Sequence, residues 1–183
     1  MSSVQEFNRL PVDGAKEALG RCCSAGRWID GMASGRPYAS VDDLLAASDA
    51  AVAALTQADL REALAGHPRI GDRRVAEGAA PGGVNSASAG WSGQEQAGVS
   101  SAGESLRQAL DDGNAEYERR FGHIYLACAT GRDAAELVDF LRQRLSNDRE
   151  TEWSVIAGEL GKINQIRLGK LLDELASSAP STA

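Results

Sequence analysis

The chain has 183 residues, 43% hydrophobic and 5% aromatic, with 26 acidic against 19 basic side chains and a formal net charge of −7. That length suits one domain with a core of its own, built mainly from Leu, Ala, Val and Ile. The spread negative charge argues against nucleic-acid binding, which needs a basic surface, and no apolar run approaches the ~20 residues that a membrane-spanning helix requires.

The elements read in chain order as capped helices. Ser3-Val-Gln-Glu6 has the form of a capping box, and Pro11 stops that short helix. A second helix is predicted from about Asp13 to Cys23, with Ala15, Leu19, Cys22 and Cys23 on one face. A third lies around Trp28 to Met32 and is broken by Gly35-Arg-Pro37. Ser40-Val-Asp-Asp43 opens a fourth, with Leu44, Leu45, Ala47 and Ala51 facing inward. Thr56-Gln-Ala-Asp59 caps a fifth, which carries Leu60 and Leu64 and ends at Gly66 and Pro68.

From Arg69 to Gly90, Gly, Ala and Ser dominate and apolar periodicity is lost, which predicts a long flexible loop. Ser92-Gly-Gln-Glu95 repeats the capping-box pattern and predicts a helix start, continuing past Leu106 to Leu110, with another helix from about Asn114 to Arg120. Phe121 to Ala129 is strand-like but has no partner strand, so it is expected as a buried extended segment. Helices from Asp133 to Leu145 and from Asp148 to Leu175 follow, and residues 177–183 are expected to form a disordered tail. The fold class is therefore all-α: a single irregular bundle of about eight helices with one short extended segment.

Cys22, Cys23 and Cys128 offer neither a disulfide framework nor CxxC metal spacing. Together with an N-terminus unlike a secretory signal, they set the expectation of a cytoplasmic protein. No cluster of His, Asp and Glu suggests a metal site, and neither GxSxG nor a phosphate-binding GxxxxGK[ST] loop is present.

Acid/base chemistry has two histidines to draw on, His67 and His123. His67-Pro68 at a helix end reads either as a helix-terminal histidine satisfying last-turn carbonyls or as a base stiffened by the proline. Ser92 and Glu95 read as a cap, which leaves Gln96 unexplained, or as a helix N-terminus able to hold an anion. Arg167 is a solvated arginine or a fork of donors for a carboxylate. Arg144 and Asn147 similarly could hold a carboxylate or terminate a helix.

Taken in order, several segments resemble the OHCU decarboxylase family, OHCU being 2-oxo-4-hydroxy-4-carboxy-5-ureidoimidazoline, an intermediate of urate breakdown. They are Phe7-Asn-Arg-Leu-Pro11, Trp28 with Arg36-Pro37-Tyr38, His67-Pro-Arg-Ile-Gly71, Trp91-Ser-Gly-Gln-Glu-Gln-Ala-Gly98, Tyr117 with Phe121-Gly122, Arg144-Leu-Ser-Asn-Asp148, and Glu159-Leu-Gly-Lys-Ile-Asn-Gln-Ile-Arg-Leu168. Each piece alone is weak; the ordered set is specific and spans nearly the whole chain. The resemblance implies an all-helical enzyme, without metal or organic cofactor, that releases carbon dioxide stereospecifically to give (S)-allantoin. It implies His67 and Glu95 as catalytic groups, with His67 the general acid/base and Glu95 orienting ring N–H groups or His67. It implies Pro68, Ser92, Gln96, Phe121, Gly122, His123, Ile124 and Arg167 as substrate contacts, Gln96 on the ureido arm and Arg167 on the carboxylate or a carbonyl oxygen. His123-Ile124 departs from the aromatic and proline common at that point in the family. A non-catalytic helical binding module on the same fold is the alternative, and a homodimer is one assembly that the resemblance allows.

Overall fold

The computed structural model of the protein describes residues 2–72, 86–100 and 102–178. Among these residues lie ten helices and no strand. They are α1 (Ser3–Arg9), α2 (Val12–Gly20), α3 (Gly26–Ser34), α4 (Val41–Ala53), α5 (Gln57–Ala65), α6 (Ser86–Glu95), α7 (Ala97–Ser100), α8 (Glu104–Phe121), α9 (Ala134–Arg144) and α10 (Arg149–Ser178).

Where a helix start depends on local chemistry, it falls where the sequence places it. Ser40 accepts the Asp43 N–H at 3.0 Å to open α4, Thr56 and Asp59 form a reciprocal box at α5, and Asp133 and Glu136 form another at α9. The first box is shifted by one residue: the Ser2 N–H donates to Gln5 Oε1 at 3.2 Å, so the cap is Ser2 and not Ser3. Helix α2 ends at Gly20, so Cys22 and Cys23 lie beyond it, although both stay buried.

Three larger expectations change. Residues 86–90 are helical, and the loop expected over 69–90 otherwise falls mostly on residues 73–85, outside the described residues. Ala87 and Ala89 carry no amphipathic signal but are strong helix formers. The break expected between Leu110 and Asn114 is absent. Helix α8 runs through it, and Gly113 lets α9 approach, since a Cβ there would lie 2.5 Å from Leu141 Cδ2. In the expected tail, Ser177 and Ser178 are the last residues of α10, and residues 179–183 are outside the described residues.

Helix α10, about 45 Å long at 1.5 Å per residue, is the spine, packing against α1, α4 and α5. Its inner face and the five N-terminal helices enclose one apolar cluster, which includes Phe7, Leu19, Trp28, Leu44, Ile156 and Leu168. A second cluster forms between α8 and α9 from Leu110, Tyr117, Phe121, Leu137 and Leu141. Gly122 ends α8 with φ 80°, a left-handed turn that glycine adopts without strain.

The chain then runs extended as expected, and its period-two alternation decides which core each side chain joins. Leu126 and Cys128 enter the first cluster, while Tyr125, Ala127 and Ala129 enter the second. The segment is a partition between two cores, with no sheet partner among the described residues.

Candidate functional site

A cleft opens at the seam between the two cores. His67, Pro68 and Ile70 line it from the end of α5, and Ser92, Glu95 and Gln96 from α6 and the residue after it. Leu126, Ala127, Ala129 and Thr130 come from the extended segment, and Ile163, Ile166 and Arg167 from α10. The cavity itself is small, about 20 Å³, room for a water-sized group.

His67 sits where α5 cannot continue. Its N–H closes a last turn on Leu64 O at 3.0 Å, and Pro68 has no N–H to extend the ladder. Gly66 allows close approach of the preceding segment, because a Cβ there would fall 1.6 Å from Ser24 Oγ. The imidazole is 7% exposed, and its Nδ1 lies 2.8 Å from Ala63 O. A carbonyl only accepts, so Nδ1 carries the proton and Nε2 bears a lone pair. That Nε2 is buried and has no hydrogen-bond partner among the described residues. Burial first, and then the Arg167 charge, push the His67 pKa down to about 3, against the Ala63 hydrogen bond that raises it. His67 is therefore a neutral imidazole whose Nε2 lone pair borders the cleft.

Arg167 faces it from α10, 2% exposed, and makes four hydrogen bonds. Nε and Nη2 grip Glu95 Oε1 and Oε2 at 3.0 and 2.9 Å. Nη2 also donates to Ser92 Oγ at 3.1 Å, and Nη1 to Cys22 O at 3.3 Å. The bidentate geometry fixes the carboxylate plane. Gln96 accepts the Gly71 N–H at 3.0 Å, and Asn114 Nδ2 donates to Ile70 O at 3.0 Å, so the segment leaving His67-Pro68 is held from two sides.

Ser92 and Glu95 do not cap a helix. Glu95 is the last residue of α6 and Ser92 lies three residues before it. The i, i+3 spacing that mimics a capping box is also the spacing that places two side chains on one helix face, and here that face meets Arg167. The helix start expected at Ser92 is therefore not there: α6 ends at Glu95, and the next helix, α7, begins at Ala97.

The structure brings together His67, Pro68, Ser92, Glu95, Gln96 and Arg167. It does not bring in Phe121, Gly122, His123 or Ile124, which are not among the lining residues. Phe121 is buried in the second core, and His123 packs on Trp153 with ring centroids 4.5 Å apart. The partition meets the cleft further along, at Leu126, Ala127, Ala129 and Thr130. Its alternating pattern was the available signal for that wall.

Two buried carboxylates on α10 hold this wall. Glu159 accepts the Cys128 N–H at 2.8 Å and pairs with Arg132 at 3.1 Å and Lys162 at 2.6 Å. Arg144 donates to Leu126 O and pairs with Glu152, which Tyr117 and Asn147 also contact. Arg144 and Asn147 thus do hold a carboxylate, but it is that of Glu152. Among the described residues, no group of three His, Cys, Asp or Glu could hold a metal ion.

The family model described as OHCU decarboxylase matches residues 8–169. The chain belongs to the OHCU decarboxylase family. It is 31% identical to the 2-oxo-4-hydroxy-4-carboxy-5-ureidoimidazoline decarboxylase of Amia calva, over 92% of this chain and 94% of that protein. It is 29% identical to the uric acid degradation bifunctional protein TTL of Arabidopsis thaliana, over 88% of this chain but about half, 48%, of that protein's length. A crystal structure of OHCU decarboxylase in the presence of (S)-allantoin superposes with a TM-score of 0.70 at 25% identity, covering 86% of this chain and 98% of that one. The all-α architecture is that of the family.

Proposed function

We propose that this OHCU decarboxylase family member converts OHCU to (S)-allantoin and carbon dioxide in urate degradation, with the seam cleft as its active site. The observation that carries the reading is the bare, buried Nε2 of His67 on the same cleft as the Arg167–Glu95 pair. A small polar heterocycle that offers an O–H to Nε2 satisfies a nitrogen that is otherwise orphaned.

The chemistry needs no cofactor. As the bond to the carboxylate breaks, its electron pair forms a C=C bond within the ring, and the neighbouring ring C=N pair moves onto nitrogen. The substrate is its own electron sink. Net uptake is one proton. The hydroxyl proton passes to His67 Nε2 and returns to the adjoining ureido-bearing carbon, and the ring nitrogen takes its proton from solvent. Because the imidazole is neutral before substrate arrives, it acts first as base and only then as acid. Delivery from one fixed nitrogen reaches one face of the ring, which accounts for a single enantiomer.

Glu95 is presented in a fixed plane to ring N–H groups, and Gln96 offers its amide to the ureido arm. Arg167, already engaged by Glu95, acts on the substrate through its charge at the cleft wall rather than through a free fork. The three cysteines, all free and buried, suit the reducing cytoplasm.

The test is the decay of freshly generated OHCU. Catalytic amounts of the protein are expected to accelerate it and to yield optically active (S)-allantoin. Decay at the uncatalysed rate, or racemic product, overturns the reading in favour of a non-catalytic helical module.

A further inference from the structure

Outside the cleft, a second set of polar contacts joins α6 to α10. The Trp91 indole N–H donates to Glu174 Oε1 at 3.2 Å, and Glu174 Oε2 accepts from Arg21 Nη2 at 2.7 Å. Arg21 also stacks over Trp91, with Cζ 4.4 Å from the ring centroid. Trp91 is 7% exposed and immediately precedes Ser92, and Glu95 is one turn further along the same helix. On α10, Arg167, Lys170 and Glu174 follow one another at helical spacing, and Lys170 Nζ lies 3.6 Å from Glu95 Oε1. The two helices are therefore joined by successive rungs. Glu95 to Arg167 is the rung inside the cleft, and Trp91 to Glu174, with Arg21 laid against it, is the rung outside.

We propose that Glu174 is a positioning residue for the reaction. With Arg21 it holds Trp91, and Trp91 sets the height and rotation at which α6 presents Ser92 and Glu95 to Arg167 and to substrate. The proposal rests on the decarboxylase reading for its kinetic consequence but not for its structural one. Glu174 is 45% exposed in its pair with Arg21, and such ion pairs contribute little to global stability. A geometric role is what remains to be disturbed.

The test uses the full chain with Glu174→Ala, Glu174→Gln, Trp91→Phe and the double variant Trp91→Phe/Glu174→Ala. The expected result is a loss of about tenfold in kcat for Glu174→Ala, since small misplacement of a catalytic group is costly, with an unchanged melting temperature. Glu174→Gln keeps an acceptor for the indole N–H and recovers most of the rate. Trp91→Phe resembles Glu174→Ala, and the double variant is no worse than either single, because both remove the same hydrogen bond. Amide hydrogen exchange at residues 91–96 speeds up in Glu174→Ala and is unchanged elsewhere. Wild-type kcat in both single variants, additive losses in the double, a rate loss that follows only a fall in melting temperature, or unchanged exchange overturns the proposal. If the wild-type protein leaves OHCU decay unaltered, the functional reading fails, and the exchange measurement alone decides the role of Glu174.

Discussion

Two buried arginine–carboxylate pairs lie at opposite stretches of α10, and they differ in one respect. In the second core, Arg144 and Glu152 are 2% and 1% exposed, and Tyr117, Asn147 and the Leu126 carbonyl complete their hydrogen bonds, with Arg144 Cζ 4.8 Å from the Tyr125 ring centroid. At the seam, Arg167 and Glu95 are paired as closely, but Glu95 is 11% exposed, the pair borders the cleft, and an imidazole nitrogen beside it has no partner among the described residues. A buried charge cluster closed on itself holds a segment in place. One left open beside an unsatisfied base marks a place for a ligand. Paired charge is common to both sites, so it is the unpartnered imidazole nitrogen that separates them.

The comparison breaks most easily at His67. His67→Gln is expected to keep the fold and to lower the rate of OHCU decay by roughly 10²–10⁴-fold, the usual contribution of a positioned acid/base group. A wild-type rate would remove His67 from the mechanism and leave the open site without a role.

Next come the two carboxylates, which are expected to fail in opposite ways. Glu152→Ala strands a buried guanidinium and should cost about 3–5 kcal/mol of stability in denaturant titration. Glu95→Ala leaves Arg167 beside a cleft that water can enter, so its stability cost should be smaller, about 1–3 kcal/mol, while decarboxylation is lost. Equal stability losses would erase the distinction between the closed and the open site.

The smallest effect is a slope in stability against pH. Burial lowers the pKa of both His67 and His123 below the ordinary 6.5. The unfolded chain therefore takes up protons that the folded chain refuses. That stability is fully present above pH 6.5 and is lost as pH falls below it. Glu159 enters only lower down. Burial works against its ionisation, but the Lys162 hydrogen bond, the Cys128 N–H and the Arg132 charge outweigh it and hold its pKa below 4.5. Between pH 6.5 and 4.5, His67→Gln should flatten the fall in unfolding free energy measured by denaturant titration; an unaltered slope contradicts a buried neutral His67.

Much of the fold was legible because its signals are local. Ser40, Thr56 and Asp133 cap helices with atoms from their own first turns. Ser92 and Glu95 misled because one spacing serves two purposes, a cap within a helix or a face shared with another helix. Only the position of α10 decides between them. Residues 86–90 read as loop because alanine gives no amphipathic signal. On the cleft, His67, Glu95, Gln96 and Arg167 came from the ordered family motifs, whereas Leu126, Ala127, Ala129 and Thr130 did not. Their place depends on which of two cores each face of an extended segment meets, and that is settled by tertiary packing.

The account depends on His67 being a neutral imidazole, protonated at Nδ1, whose Nε2 meets the ligand. With two histidines in the chain, nitrogen-15 NMR of labelled histidine measures this directly. Expected are one ring that remains the neutral Nδ1–H tautomer from pH 8 to about pH 5, as a strongly depressed pKa requires, and whose Nε2 resonance shifts when (S)-allantoin is added. A His67 ring that titrates with an ordinary histidine pKa, or an Nε2 signal that (S)-allantoin leaves unmoved, would contradict it.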